Sequence, residues 1–476
     1  MHFRMSIREG ILVMVLGLPP AHAQQQSDGR ATQPVPALPS PLASAADNGN
    51  AEDLNVDPQK LSPDTRALSG ARGLSLGVPT LRHSSWRPYF NLSSMLDTNA
   101  PTTNQPSGFT TWTSLYGGID LHRASGRSDM NLNYLGGALI SNDSIASKSL
   151  IQQLELDEKL SWRRSVLLFF DQLSYLPEAA FGFDVPSGVN LPVGQELSIQ
   201  PALTPDQSIL TTRGRRISNT FLAEVDTFLT PRSSLTFVGS YSVLRFLDNS
   251  FLNSGATVVQ AGYNHKTSRE DTIGLLYRVA AFQYSNFDQS IDTHTVQVSY
   301  GRHVTGQMAF QVAVGPGVGF FRTPISTGTT SSTQANWTLD SSLTYQLRRT
   351  QFGFAYHHSL AGGAGVLAGA VNDQASGSIS SQLSRTFRGG FVLGYARNQG
   401  LNIATPAPSN QSYNSWFSRV NLARSLGRET NLFLNYRMQF QNSSTAFCVG
   451  TTCGKSLVRH TLSLGLDWRS QPIPIG

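Results

Sequence analysis

The sequence predicts an all-β protein, a transmembrane up-and-down antiparallel β-barrel of about 18 strands (about 16 to 20) with short periplasmic turns and long extracellular loops. Three observations predict it. Apolar and polar residues alternate with period two over most of the chain, the signature of strands whose faces meet different environments. The alternating runs are about ten residues long, enough for a tilted strand to cross a bilayer. The joints between runs are short and long by turns.

The first 23 residues, with His2, Arg4 and Arg8 ahead of an apolar run from Ile11 to Leu18 and then Ala21-His22-Ala23, read as a secretory signal peptide cut after Ala23. Beyond it no apolar run approaches the roughly 20 residues that a membrane-spanning helix needs, so any crossing is made by strands. Residues 24–86 are Pro-, Ala- and Ser-rich. They have too little apolar surface to fold alone and read as a flexible periplasmic leader, either a tether or a segment tucked into the lumen.

The barrel is expected over 87–470, with a short tail at 471–476. Strands are expected to begin near residues 88, 110, 128, 150, 165, 216, 233, 255, 271, 292, 308, 332, 350, 370, 388, 412, 430 and 457. In NWTLDSSLTYQLR, Trp337, Leu339, Leu343, Tyr345 and Leu347 share one face, and Asn336, Thr338, Asp340, Ser342, Thr344, Gln346 and Arg348 share the other. Tight joints such as WRRS, LTPRSS, LRRT and SLGRET carry arginine, as hairpins turning at a headgroup interface would. Long connections such as 177–214 and NQGLNIATPAPSNQ alternate with them. Trp112, Trp337 and Trp416 at outer strand ends, with Trp162 and Trp468 at inner ends, suggest two aromatic girdles. In LIQQLELDEKLSW, placing Glu158 outward near the periplasmic rim, within reach of a turn arginine, avoids setting three charges in lipid.

The inward faces then carry Glu155, Asp157, Lys159, Glu224, Asp226, Arg278, Asp340, Arg348, Arg419, Arg437, Arg459 and Asp467. Mixed charge among hydroxyls and amides suits a hydrated passage, and about 18 strands enclose one. The same residues could instead brace a filled interior. Arg419, Arg437 and Arg459, on the three final strands, suggest a basic patch.

Cys448 and Cys453, separated by four residues in an exported chain, read as a loop-closing disulfide. No metal or cofactor motif is visible, and the dispersed excess of +6 is no nucleic-acid footprint. His357 and Ser359, two apart on one strand face with Asn372 and Asp373 across the next loop, raise a serine hydrolase, the remote alternative of an outer-membrane lipid hydrolase. Their inward parity makes them lumen lining, and no enzyme is expected.

The architecture resembles Gram-negative porin-like barrels over residues 87 to about 470. Within SSMLDTNAP, Asp97 and Asn99 resemble the Asp-x-Asn that closes strand one in a family of β-barrel porins. The C-terminus departs from the class, since Trp468 is followed by RSQPIPIG where such chains end on an aromatic residue. The resemblance implies an outer-membrane location, contact with lipopolysaccharide and the barrel assembly machinery, possible oligomers, and passive diffusion of small polar solutes. The competing reading is a non-conducting surface barrel, an adhesin or an exopolysaccharide-associated structural protein.

Overall fold

In the computed structural model, the described residues are 67–72, 84–98, 110–141, 149–176, 203, 215–247, 252–285, 289–304, 307–325, 328–362, 367–401, 411–449 and 452–475. Contacts divide the chain into Met1–Val35 and Pro36–Gly476, and every described residue belongs to the second unit. The expected signal peptide, Asn99 and nearly all of the 177–214 connection lie outside the described residues.

The strands follow one another around a ring. They are β1 (Ser85–Asp97), β2 (Thr110–Ser125), β3 (Ser128–Ser141), β4 (Ser149–Ser161), β5 (Ser165–Leu176) and β6 (Arg216–Thr230). Next come β7 (Ser233–Phe246), β8 (Ser254–Lys266), β9 (Asp271–Tyr284), β10 (Ser290–Val304), β11 (Met308–Ile325) and β12 (Gly328–Gln346). The last are β13 (Thr350–Ala361), β14 (Ala370–Gln382), β15 (Phe387–Gly400), β16 (Ser412–Ser425), β17 (Thr430–Val449) and β18 (Thr452–Arg469). Each pairs antiparallel with its sequence neighbours, and β18 returns to β1 in a ladder from Tyr89↔Arg469 to Asp97↔Thr461. The sheet is therefore closed at 18 strands. A two-residue β19 (Ile473–Pro474) extends the seam beside Ser85 and Trp86.

The short joints gather at one rim. Ser125 pairs Ser128 around Gly126-Arg127, where Gly126 has φ 51°, a conformation glycine adopts without a Cβ penalty. Thr230 pairs Ser233 around Pro231-Arg232. Turn arginines such as Arg127, Arg163, Arg232, Arg349 and Arg428 are exposed there.

Alternation is visible as exposure. Leu92, Leu115, Phe237, Val259, Leu275, Val298, Phe354, Leu393 and Leu464 are exposed around the ring, while their strand neighbours face the interior. An apolar band this continuous is far larger than the patches water-soluble proteins leave uncovered, and it fits hydrocarbon. Trp162, Trp337, Trp416 and Trp468 lie on this outer face. Trp112 corrects the sequence reading. It shares inward parity with Ser114 and Tyr116, is 4% exposed, and packs with Met95, Leu135, Leu139 and Ile151. Leu115 and Ile119 claim the lipid face of β2, so the tryptophan goes in. Glu158 has outward parity on β4, and its Oε1 accepts from Ser128 Oγ at 3.3 Å, so a turn-flanking serine takes the place expected of an arginine.

Apolar packing inside is local. One cluster joins Ala71, Phe170, Leu203, Leu222, Val238, Val258 and Ala280 on the β5–β9 side, and another joins Tyr284, Ile291, Phe321 and Leu360. Phe354→Arg, near mid-strand on the lipid face, is expected to cost about 2–4 kcal/mol of folding free energy in a bilayer. Ser342→Arg, inward at nearly the same level of the β12–β13 ladder, should cost much less. Equal losses in urea titrations of the two variants would contradict the assigned faces.

Candidate functional site

The lumen has two unlike walls. From β4 to β10 the inward polar groups are buried, with Glu155 and Asp157 on β4, Glu224 and Asp226 on β6, Gln260 on β8, Arg278 on β9 and Gln297 on β10. They are paired, as buried polar groups must be. Thr236 Oγ1 donates to Asp226 Oδ1 at 2.6 Å, and Arg278 Nε donates to Gln260 Oε1 at 2.7 Å. Lys159 on β4 is half-buried. What lies over this wall is chain: residues 67–72 and Leu203 are buried against it.

Between β12 and β14 the polar groups form a relay. Asp340 accepts from His357 Nδ1, and its other oxygen accepts from Gln297 Nε2 at 2.8 Å. His357 Nε2 and Ser359 Oγ are 2.7 Å apart. The third group of this Ser-His arrangement is therefore Asp340, and neither Asn372 nor Asp373 fills that place. Asp373 instead meets His358 Nδ1 at 2.5 Å and Tyr356 Oη at 3.0 Å, while Asn372 donates to Asn398 at 2.8 Å. Ser359 is buried among these partners, and the relay fastens β13 to β12 and β10. Asp340 and His357 each lie eight residues from the Arg348-Arg349 pair, so folding the hairpin about its arginines would have found the contact.

The opposite wall keeps several of its charges partly exposed. Arg388 on β15, Arg419 on β16, Asn435 and Arg437 on β17 and Asp467 on β18 point inward and are half-buried. Arg419 and Arg437 are direct ladder partners, two cations side by side. Arg459 is not part of that patch. Its Nε donates to Asp97 Oδ1 at 3.0 Å and its Nη2 to Asp97 Oδ2 at 2.5 Å, with both side chains buried. A bidentate pair of this kind is strong and directional. It joins β18 to the end of β1, which gives the Asp97 singled out in the sequence a physical role. Lower on the seam, Arg469 Nε donates to Asp467 at 3.0 Å, and its guanidinium lies 5.0 Å over the Tyr89 ring and 3.6 Å from Asp120.

Arg348 also departs from expectation, because it sits exposed in the 347–349 turn and does not line the lumen. Arg388 and Arg469 were missed, although the period-two count extended by one step reaches both. Cys448 and Cys453 are ladder partners at the tip of the β17–β18 hairpin, and their side chains lie outside the described residues. Among the described residues, no group of three His, Cys, Asp or Glu is placed to hold a metal.

No family model and no curated protein sequence matches the chain. Solved barrels do resemble it. Pseudomonas aeruginosa OccK2 (OpdF), in complex with glucuronate, is 9% identical over 81% of this chain and 97% of its own, with a TM-score of 0.41. A BenF-like porin from Pseudomonas fluorescens Pf-5 is 11% identical over 82% and 99%, with a TM-score of 0.41. Acinetobacter baumannii OccAB1 is 9% identical over 82% and 97%, with a TM-score of 0.40. Likeness this distant assigns this chain no solute. The molecule's own features decide its class: 18 antiparallel strands in a closed ring, apolar outside and polar within. It is a transmembrane β-barrel of the outer-membrane type.

Removing one member of the buried seam pair leaves the other charge uncompensated. Asp97→Ala is therefore expected to destabilise the barrel by about 3–5 kcal/mol, and Asp97→Ala/Arg459→Met to recover part of that loss. Heat-modifiable migration on gels against temperature measures both, and an unchanged transition in Asp97→Ala would remove the pair from the seam's energetics.

Proposed function

We propose that the barrel is a porin-like channel for passive diffusion of small hydrophilic solutes across the outer membrane. The observation that carries this reading is the contrast between the walls. Arg388, Arg419, Arg437 and Asp467 on β15–β18 are half-buried, each still partly exposed in the interior, whereas the facing wall from β4 to β10 is covered by chain. A barrel packed solid would bury both. An accessible stripe of guanidinium, amide and carboxylate offers solutes replacement hydrogen bonds without deep apolar pockets that would retain them. Its partners on this reading are small polar solutes inside and outer-membrane lipid and lipopolysaccharide outside.

Arg419 and Arg437 set the sign of the passage, since neighbouring like charges in a narrow aqueous space with low-dielectric walls attract counter-ions. Arg459 contributes little, because Asp97 already neutralises it. The cysteines fit an oxidised pair closing the external hairpin, given their direct ladder partnership.

In planar bilayers the purified protein is expected to give stable ohmic steps, and silence from a correctly folded, heat-modifiable barrel would sink the reading. Arg419→Ser/Arg437→Ser is expected to shift the reversal potential in a KCl gradient toward cation preference. An unchanged potential would take these two side chains out of selectivity.

A further inference from the structure

We propose that residues 67–72 are a tethered plug, an internal ligand that docks reversibly on the lumen wall and sets how wide the passage is. The proposal rests on the channel reading above.

These six residues precede β1 in sequence, yet all are buried inside the ring. They form a tight turn, closed by Gly70 N donating to Ala67 O at 3.1 Å. The wall is shaped to receive it. On β8, three successive inward positions are Gln260, Gly262 and Asn264. Asn264 grips Ser69 twice, its Oδ1 accepting from Ser69 N at 3.0 Å and its Nδ2 donating to Ser69 Oγ at 2.8 Å. Gln260 Nε2 donates to Ser69 O. Between them Gly262 leaves a seat, and a Cβ built there would overlap Ser69 Cβ and Oγ. Here an inward-facing glycine is explained by close approach of a second backbone.

Other strands complete the dock. Gln311 Nε2 on β11 donates to Leu68 O at 3.2 Å, and Glu224 Oε2 on β6 accepts from Ala71 N at 2.6 Å. The Arg72 guanidinium donates to Asp157 on β4 and lies 5.6 Å over the Phe170 ring. Backbone groups that would be orphaned in a dry interior are thus met by side chains from three separate strands.

The balance of forces makes the dock releasable. Its apolar anchors are few, Leu68 against Ala309 and Ala71 in the β5–β9 cluster. The remaining contacts are hydrogen bonds, the Arg72–Asp157 ion pair and the Arg72–Phe170 contact; the polar ones have a modest net worth because water replaces them on release. A small cavity beside Arg72, its wall combining Asp129, Asn131 and Lys159 with Leu168, Phe170 and Leu222, leaves room for about one water at the latch. Only residues 73–83 separate the turn from the segment that opens β1, so a released turn stays at high effective concentration and redocks.

The test uses the full chain carrying Ser69→Cys as a reporter, in detergent micelles where both ends of the barrel admit a small methanethiosulfonate reagent. Gly262→Val fills the seat without changing charge, and Arg72→Gln cuts the latch. Each is expected to speed labelling at position 69 on the order of tenfold. In bilayers, without the reporter, each is expected to enlarge the conductance step. Unchanged labelling in both variants, with heat-modifiable migration intact, overturns the plug. Faster labelling with an unchanged step in a conducting protein overturns its control of width. Faster labelling in a protein that stays silent sinks the channel reading and leaves the dock standing. Should a variant fail to fold, complete protection of the Ser69→Cys chain under prolonged excess reagent overturns reversibility.

Discussion

Hydrocarbon offers no partner for a backbone N–H or C=O, and every feature of this barrel follows from that constraint. A sheet satisfies it only if its two edge strands meet, so β1 and β18, at opposite ends of the barrel sequence, must pair. The side chains at the seam follow suit. Arg459 and Asp97 clasp it toward the long-loop rim, Arg469 and Asp467 sit lower on the same strand, and β19 adds bonds beside the first residues of β1.

Closure fixes the inside as firmly as the outside. With one face of each strand given to lipid, the polar side chains converge on a common interior. Two remedies are available to them, mutual pairing or water, and the molecule uses both. The β4–β10 wall pairs its charges with neighbouring side chains and with an inserted stretch of backbone. The β15–β18 wall pairs Arg459 with Asp97 and Asp467 with Arg469 at the seam and keeps Arg388, Arg419 and Arg437 partly exposed. On the channel reading, the difference between walls makes the passage eccentric, bounded on one side by strand and on the other by chain that is not strand.

Period two in the sequence carried most of the fold. Strands expected near 216, 233, 271, 350 and 430 begin at those residues. The misses have physical causes. β12 begins at Gly328, ahead of the expected 332, because GTTSST stands above its ladder with β13 and has water on both faces, which removes alternation. Trp112 went astray because tryptophan suits an interface or a packed interior equally well, and only its neighbours decide. Of the lumen residues, those on regular strands were legible from parity, while Arg348 was lost to a turn. The insertion of residues 67–72 had no local signal. LSGAR has no period, and its partners, from Asp157 to Gln311, are 85 to 243 residues away.

The β1–β18 ladder also dictates an order of events. The ring has a gap until the chain's last long strand is in place, so closure cannot precede the arrival of β18. The Ala67–Arg72 turn lies ahead of β1, and its grips come from β4, β6, β8 and β11, all present before that final strand. An unclosed sheet curling around this turn would bring the distant strands to a shared template. The same six residues that dock on the wall of the finished barrel can thus serve, during assembly, as the form around which it is bent.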